Sequence, residues 1–210
     1  MTAGAWRAAA QVAFSLVLTT MLGGCVMFER APMALSCDPD LVGRWLPLPA
    51  EGQQDTPLGP DDYADVQPGC RALLSDAASG QSPRFNALGF RDGGHRYLAF
   101  GRQDLDSLFR AMPEPPHSAD LAPEAVFLTR YRIQDDVLEV ALPNLVQVLG
   151  EMADLTVAAD PAQPTVRMFE GTPDQLLALL RQHPDLFDDF DRAAKVLRMR
   201  RAPAADADAP

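Results

Sequence analysis

The stretch AVFLTRYRIQDDVLEVAL, Ala125–Leu142, decides the fold, because it contains two strands and the turn that joins them. In its first half polar and apolar residues alternate, which places Arg130 and Arg132 on the face opposite Tyr131. Alternation with this period predicts a β-strand with one buried face. The polar triplet Gln134-Asp135-Asp136 follows, and a second apolar run comes after it. The stretch therefore predicts an antiparallel β-hairpin.

A second hairpin is predicted nearer the N-terminus, where Phe85–Phe90 and His95–Phe100 flank the turn residues Asp92-Gly93-Gly94. Each hairpin is followed by a segment with apolar residues at positions i, i+3, i+4 and i+7, which predicts one face of a short helix. These faces comprise Leu105, Leu108, Phe109 and Met112 after one hairpin and Leu145, Val148, Leu149 and Met152 after the other.

A third strand and helix follow towards the C-terminus. Thr165–Glu170 predicts a strand, and Thr172-Pro173-Asp174-Gln175 has the residues of a capping box with proline at the first helical position. Ala194–Arg200 alternates and predicts a last strand. Near the other end, Leu41–Leu46 predicts a first strand, and five prolines within residues 47–68 predict a long loop after it.

Together these elements predict a single α+β domain at residues 37–201. We expect it to be mainly an antiparallel sheet built from hairpins, with about three short helices. Residues 202–210 contain only Ala, Pro and Asp, which predicts a disordered tail.

The N-terminal segment has the composition of a secretory signal peptide. It carries one basic side chain, Arg7, and residues 8–22 are uncharged and mostly apolar. A run of this length is shorter than the about 20 residues of a transmembrane helix, so a cleaved signal helix is favoured over a membrane span. The segment ends in Leu22-Gly23-Gly24-Cys25, which resembles the lipobox of bacterial lipoproteins.

The resemblance covers residues 1–25. In bacterial lipoproteins the cysteine thiol takes a diacylglyceryl group, the signal peptidase cuts before the cysteine, and the new amino terminus is usually acylated. For this chain it implies a signal peptide at residues 1–24, lipidation of Cys25 and a lipidated tether at residues 25–36. Lipid chains of this kind hold a protein on a membrane without a spanning helix. The alternative is a soluble secreted protein in which the cysteine occurs by chance.

The residue after the lipobox cysteine bears on location. Val26 stands where enteric lipoproteins that stay on the inner membrane carry Asp. This difference favours the outer membrane, with the domain facing the periplasm.

The lipobox interpretation also bears on the pairing of the remaining cysteines and on the net charge of the mature chain. If Cys25 is lipidated, Cys37 and Cys70 remain as an even pair, and export favours a disulfide between them; two buried free thiols are the alternative. Removing residues 1–24 removes Arg7 and no acid, so the mature chain carries 17 basic and 29 acidic side chains. This negative charge argues against nucleic-acid binding, which depends on neutralising phosphates.

The predicted first strand carries a second resemblance. Gly43-Arg44-Trp45 is similar to the G-x-W that opens the first strand of lipocalins, where the tryptophan closes one end of the fold. The resemblance implies a cavity for a small apolar ligand. The alternative is an ordinary strand whose Trp45 packs in the core, because the T-D-Y motif of that family is not recognisable at a suitable distance.

Residues that could carry catalysis or bind metal are few. His95, His117 and His183 are far apart and share no ligand spacing. The acidic run DLFDDFD, Asp185–Asp191, could hold a divalent cation, but it lacks the ligand pattern of a calcium loop. A solvated acidic turn is favoured there, and we expect no metal, no cofactor and no catalytic residues.

Arginines provide one possible binding feature. Arg130 and Arg132 share a strand face, and Arg96 and Arg102 lie in the region of the other hairpin. If these four side chains adjoin, they could bind an anionic ligand or an acidic partner. The alternative is that they face solvent and offset the many carboxylates.

Three classes of function remain open. The favoured one is a non-enzymatic envelope lipoprotein that acts by protein contact, as an accessory of an envelope complex or an immunity-type inhibitor. The second is a lipocalin-like carrier of a small apolar ligand. The third is an enzyme whose catalytic residues are distant in sequence and meet in space.

Overall fold

The computed structural model describes residues 26–49, 61–75, 80, 82–109, 121–160, 163–192 and 196–203. Within these residues the chain forms thirteen strands, three α-helices and three short 3-10 turns. The strands are β1 (Val26–Phe28), β2 (Ser36–Cys37), β3 (Gly43–Pro47), β4 (Tyr63–Val66), β5 (Arg71–Ser75), β6 (Arg84–Asn86), β7 (Leu88–Asp92), β8 (His95–Gly101), β9 (Val126–Gln134), β10 (Val137–Ala141), β11 (Val157–Asp160), β12 (Gln163–Phe169) and β13 (Val196–Arg201). The helices are α1 (Arg102–Phe109), α2 (Leu145–Gly150) and α3 (Pro173–Gln182), and the 3-10 turns are Pro39–Leu41, Ala153–Leu155 and Pro184–Leu186.

The sheet curls so that its C-terminal strand, β13, pairs with the early strand β3 as well as with β10. From β3 to β6 and again from β7 to β10, successive strands pair antiparallel. Only Ala87 separates β6 from β7, and its N–H donates to the carbonyl of Cys70 at 2.8 Å. Strand β13 then pairs with both β10 and β3, so that Met199 lies between Leu138 and Pro47. This pairing covers strand edges that would otherwise present unpaired N–H and C=O groups.

The curled sheet encloses a hydrophobic core, called here the inner core. Trp45 of β3 is fully buried in it, and its indole N–H donates to the carbonyl of Leu41 at 2.7 Å. Arg201 of β13 lies over the indole ring, 4.1 Å from the ring centroid. The other buried members of the inner core are Leu41, Ala64, Val66, Cys70, Ala72, Ala87, Leu98, Tyr131, Leu138 and Val140. Side chains from all round the sheet therefore occupy its interior.

A second hydrophobic core, the outer core, lies on the outside of the curled sheet. Strand β1 extends the sheet there, antiparallel to β9 and parallel to β12. Phe28 of β1 and Phe169 of β12 are fully buried, with their ring centroids 5.2 Å apart. Helices α2 and α3 cover this face and bury Val148, Leu176 and Leu180 against it.

The fold is mostly β rather than α+β, which corrects the predicted class in part. The single domain, the antiparallel sheet and the three short helices agree with the prediction. The described helices contain only 8, 6 and 10 residues and lie outside a sheet of thirteen strands. The prediction underestimated the sheet because several short strands carry little periodic pattern of their own.

Two of these short strands contradict specific sequence predictions. Residues 25–36 are predicted as a tether, yet Val26–Phe28 form β1 with side chains no more than 2% exposed. Residues 47–68 are predicted as a loop, yet Tyr63–Val66 form β4 between β3 and β5. Both segments are strands because neighbouring strands pair with them, and this context outweighs local sequence preference.

The local turn and cap predictions are confirmed. Strands β9 and β10 join at Asp135-Asp136, with φ of 51° and 58°, and β7 and β8 join at Gly93-Gly94, with φ of 55° and 82°. Two consecutive positive φ angles give a turn whose twist matches that of a hairpin. At the start of α3, the Thr172 hydroxyl accepts from the N–H of Gln175 at 3.3 Å, and the Gln175 side chain accepts from the N–H of Thr172 at 2.9 Å.

We predict that Gly89→Ala lowers the free energy of unfolding by about 3 kcal/mol, or roughly 6–12 °C in melting temperature. A Cβ at residue 89 would overlap the main-chain carbonyl oxygen of Tyr97 on the paired strand β8. Thermal unfolding followed by circular dichroism measures the change. The control is Gly150→Ala, where a Cβ meets no atom within 4 Å and the melting temperature should stay within about 2 °C. Equal melting of wild type and Gly89→Ala would contradict the β7–β8 pairing.

Candidate functional site

The first described residue, Val26, follows the predicted lipidation site directly. Cys25 and the cleavage residues Leu22-Gly23-Gly24 lie outside the described residues, whereas Val26 already belongs to β1 and is 2% exposed. Val26 lies opposite Arg167 of β12, whose guanidinium donates to the carbonyl of Thr156 at 2.7 Å. The first described residues are therefore held by neighbouring strands on both sides.

The predicted disulfide between Cys37 and Cys70 is confirmed, with Cα atoms 5.3 Å apart. Cys37 belongs to β2, which pairs with β7, and Cys70 lies in the turn between β4 and β5. The two cysteines are 33 positions apart in the chain. Closing a loop of that size stabilises a fold by roughly 4 kcal/mol in the chain-entropy model. The bond therefore ties β2 to the curled sheet.

An ionic network centred on the buried Asp38 lies beside the disulfide. The carboxylate of Asp38, which is 8% exposed, accepts hydrogen bonds from the Tyr131 hydroxyl at 2.6 Å and from Arg91 at 2.8 Å. Arg96 lies 3.5 Å from the same carboxylate and 2.9 Å from that of Asp40. The network joins the Pro39–Leu41 turn to strands β7, β8 and β9. It stabilises the fold by holding these four elements together.

The electrostatics of the network favour an ionised Asp38. Burial by itself would raise the pKa of the Asp38 carboxyl, but hydrogen bonds from Tyr131 and Arg91 outweigh burial and hold the pKa below its ordinary value. The pKa of the Tyr131 hydroxyl is raised, first by burial and then by its hydrogen bond to Asp38. At neutral pH the carboxyl is therefore ionised and the hydroxyl protonated, which suits the hydrogen bond between them.

The predicted grouping of four arginines does not form. Arg96 lies opposite Tyr131 in the β8–β9 register and pairs with the network beside the inner core. Arg130 and Arg132 lie on the opposite face of β9, against the outer core. Arg102 begins α1, at the far end of β8 from Arg96. Of the four arginines, only Arg130 and Arg132 lie together as the sequence predicts.

Arg130 is a nearly buried cation, with 9% of its surface exposed. Its guanidinium donates to the main-chain carbonyls of Pro184 at 2.9 Å and Asp188 at 3.4 Å. The same group lies 5.8 Å from the ring centroid of Phe187 and 5.1 Å from that of Phe190. Burial lowers the pKa of the Arg130 guanidinium. An arginine nevertheless stays protonated in proteins, so a fixed positive charge lies here.

A groove of about 620 Å³ opens beside Arg130, between the start of α2 and residues 184–192. Its lining residues are Arg130, Asn144, Gln147, Pro184, Asp185, Phe187, Asp188, Asp189 and Arg192. Residues 184–192 are held against the sheet, since the N–H of Asn144 donates to the carbonyl of Leu186 at 2.7 Å. A main-chain hydrogen bond therefore helps to fix one wall of the groove.

The acidic run does not form a shared cation site. The carboxylate of Asp191 accepts from Arg132 at 3.2 Å, that of Asp185 accepts from Gln147, and that of Asp189 accepts from the N–H of Asp191 at 3.0 Å. Within the described residues, no group of three or more His, Cys, Asp or Glu side chains is placed to hold a metal ion. These three carboxylates therefore have separate partners, and only Asp185 and Asp189 among them line the groove.

Two of the three histidines lie in the described residues, on different elements. His95 is exposed at the β7–β8 turn, and His183 ends α3. His117 lies outside the described residues. In the part of the chain that the structure describes, no histidine lines the groove.

Sequence reasoning missed the central residues of the ionic network. The pair Asp38-Pro39 has the form of a helix N-cap followed by proline, and the Asp38 side chain does accept from the N–H of Asp40 at 3.1 Å. This pattern could have identified the turn. It could not have identified Arg91 or Tyr131 as partners, because they lie 53 and 93 positions away.

No protein-family model matches this chain, and neither a curated protein nor a solved structure matches it. None of the described helices is long and apolar enough to cross a bilayer. The functional argument therefore rests on the N-terminal motif and on the geometry of the described domain.

We predict that Asp38→Asn lowers the free energy of unfolding at pH 7 by about 2 kcal/mol, because charge-assisted hydrogen bonds from Tyr131 and Arg91 are weakened. The ordinary Asp pKa is 3.8 and the folded-state pKa is lower. The difference from wild type should therefore be full above about pH 4 and shrink as the pH falls through the folded-state pKa. Urea denaturation at a series of pH values measures it.

The matched control for this prediction is Asp40→Asn, because Asp40 binds the same arginines but is 52% exposed. Its effect should stay below about 1 kcal/mol at every pH. A difference between wild type and Asp38→Asn that is independent of pH would show that the Asp38 charge does not stabilise the fold.

Proposed function

We propose that the protein is a lipid-anchored lipoprotein of the bacterial cell envelope that acts by protein contact and has no enzymatic activity. Its proposed location is the outer membrane, with the domain in the periplasm. The observation that carries the proposal is the position of the lipobox-like Leu22-Gly23-Gly24-Cys25 directly before strand β1.

The position of β1 is compatible with cleavage before Cys25. Removing residues 1–24 keeps every pairing of Val26–Phe28 with β9 and β12. A cut a few residues later would remove Phe28, which is fully buried in the outer core. Cleavage before Cys25 thus keeps both the described fold and the cysteine that would carry the lipid, whereas cleavage further along the chain would not.

The disulfide supports export from the cytoplasm. A bond between Cys37 and Cys70 forms and persists in oxidising compartments such as the periplasm. It leaves Cys25 as the remaining cysteine of the chain, which is the residue that the lipobox resemblance assigns to the lipid.

An apolar surface around α2 supports action by contact. Within the described residues, four of the five exposed large apolar side chains lie in residues 146–157, and we call them the α2 surface. They are Val146, Leu149, Leu155 and Val157, exposed by 77%, 43%, 48% and 41%. The sequence predicts that Leu149 shares one helix face with Val148, yet Val148 is fully buried and Leu149 is 43% exposed. Clustered exposed apolar side chains are typical of interaction sites.

The charges around the α2 surface indicate the chemistry of the partner. Glu151 and Asp154 lie within the same stretch and are exposed. The whole chain also has an excess of acidic side chains. We therefore propose a protein partner with an apolar centre and basic side chains around it, because opposite charges at an interface favour the correct encounter.

The carrier hypothesis has less support. The observation in its favour is that Trp45 of the G-x-W motif lies on β3 of a curled antiparallel sheet. Side chains such as Leu98, Leu138 and Val140 occupy the interior that a ligand would need. The groove beside Arg130 lies on the outside of the sheet and is lined largely by polar residues.

We predict that Cys25→Ser abolishes lipidation and releases the protein from the membrane, because two or more acyl chains are needed for stable anchoring. Sedimentation of envelopes and mass spectrometry of the mature N-terminus measure the two effects. Gly24→Ala is the matched control, since a small residue before the cysteine should preserve processing. If the Cys25→Ser protein were exported, trimmed and sedimented like the parent, the anchor proposal would be wrong.

We predict that Leu149→Asp reduces recovery of a stoichiometric partner at least tenfold in a pull-down from detergent-solubilised envelopes. A buried carboxylate at the centre of the contact would be desolvated without a matching charge. Met33→Asp is the control, because Met33 is also exposed, by 39%, but lies outside the α2 surface. Recovery of no stoichiometric partner by the wild type, or equal recovery by Leu149→Asp, would contradict the proposed contact.

A further inference from the structure

Arg130, which lines the groove, contains an unsatisfied donor. The Nε of Arg130 is buried and has no hydrogen-bond partner among the described residues. Its two Nη atoms donate to the carbonyls of Pro184 and Asp188, which carry only partial charge. A guanidinium has five N–H donors and binds carboxylates best through two parallel hydrogen bonds. Each Nη atom carries a second N–H beside the one that donates to a carbonyl, so Arg130 retains donors for a carboxylate in the groove.

The rim of the groove carries the opposite charge. Asp185, Asp188 and Asp189 line it, together with the cation Arg192. Asp189 is exposed, and it is close enough for its charge to act on the Arg130 guanidinium. A simple anion in the groove is repelled by these carboxylates. A ligand that also carries a positive group avoids this repulsion.

The remaining walls suit an uncharged backbone. Phe187 provides an apolar surface, and the side chains of Asn144 and Gln147 provide amide groups. Each amide already makes one hydrogen bond, Asn144 to the N–H of Gln147 and Gln147 to Asp185. The NH₂ group of Asn144 and the side-chain carbonyl oxygen of Gln147 can still pair with a peptide group. The volume of about 620 Å³ is within the range of sites for small ligands.

We propose that this groove binds a small zwitterion, an amino acid or short peptide, with its carboxylate on Arg130 and its ammonium group on Asp189. The proposal does not rest on the lipid anchor or on the α2 surface. It differs from a lipocalin-like site because it lies outside the curled sheet and selects for charge at both ends of the ligand.

Burial of Arg130 gives the ligand a physical reason to bind. Desolvation lowers the pKa of this guanidinium, which means that the protein already bears a cost for burying the charge. A carboxylate at hydrogen-bonding distance offsets that cost in a partly dry site. The main-chain carbonyls of Pro184 and Asp188 also fix the guanidinium in place, so little side-chain entropy is lost on binding.

The test uses the purified mature lipoprotein in detergent and isothermal titration calorimetry with four probes. Alanyl-alanine carries both charges, N-acetyl-alanyl-alanine carries only the carboxylate, and alanyl-alanine amide carries only the ammonium group. Free alanine distinguishes an amino-acid site from a peptide site. We expect alanyl-alanine or alanine to bind, and each blocked dipeptide to bind at least tenfold more weakly than alanyl-alanine.

Two variants assign the binding to the groove. Asp189→Asn should weaken the zwitterion at least tenfold and leave N-acetyl-alanyl-alanine as weak as before or slightly tighter. Arg130→Lys keeps the charge but removes the bidentate donor, and should weaken both carboxylate probes. Asp191→Asn is the matched control, because Asp191 lies in the same segment, is 83% exposed and does not line the groove.

Three outcomes would overturn the proposal. These are the absence of binding by both alanine and alanyl-alanine at millimolar concentration, equal binding of the blocked and unblocked dipeptides, and wild-type binding by Asp189→Asn. If Arg130→Lys does not fold, Asp189→Asn decides the matter, because its side chain is at the surface. None of these results depends on lipidation of Cys25, so the anchor proposal and this one can fail separately.

Discussion

The pairing of β13 with β3 is the constraint on which the rest of the structure depends. It places Arg201 opposite Trp45 and closes the curled sheet around the inner core. Arg201 reinforces the pairing, since its guanidinium covers the indole and donates to the carbonyls of Val42 and Asp40 at 2.7 Å each. Without this contact Trp45 would lose the strand that covers it. The disulfide and the Asp38 network join the segment at residues 37–41 to the sheet, and Arg201 binds the same segment. These interactions therefore stabilise one part of the fold together.

Closure also determines how the N-terminal strand can join the fold. Strand β9 pairs with β8 along one edge and shares its other edge between β10 at residues 130–134 and β1 at residues 126–127. β1 thus occupies the part of β9 that β10 leaves unpaired, and its burial makes residue 26 part of the folded domain. A lipid on the preceding residue would attach to this rigid domain rather than to a tether. The domain would then lie close to the bilayer with a restricted orientation.

The parts of the fold that could be predicted are those with local signals. The hairpin turns at Asp135-Asp136 and Gly93-Gly94 and the capping box at Thr172 depend on residues next to one another in the chain. The disulfide was predictable from cysteine count once Cys25 was assigned to a lipid. Strand β4 and strand β1 were not, because three or four residues carry too little pattern to outweigh prolines or a position near the terminus. The different burial of Val148 and Leu149 was not predictable, because helical spacing shows which side chains align, not which neighbours are present.

The sequence by itself determined the hairpins, the cysteine pair, the acidic surface and an N-terminal motif that resembles a lipobox. Tertiary structure alone decided which charges meet. Arg130 and Pro184 are 54 positions apart, and Tyr131 and Asp38 are 93 positions apart, yet adjacent residues of one strand serve the groove and the ionic network respectively. Strand alternation predicts that the two side chains point to opposite faces. What lies on each face depends on the closure of the sheet and the packing of α2 and α3, which arise from many weak contacts between distant segments.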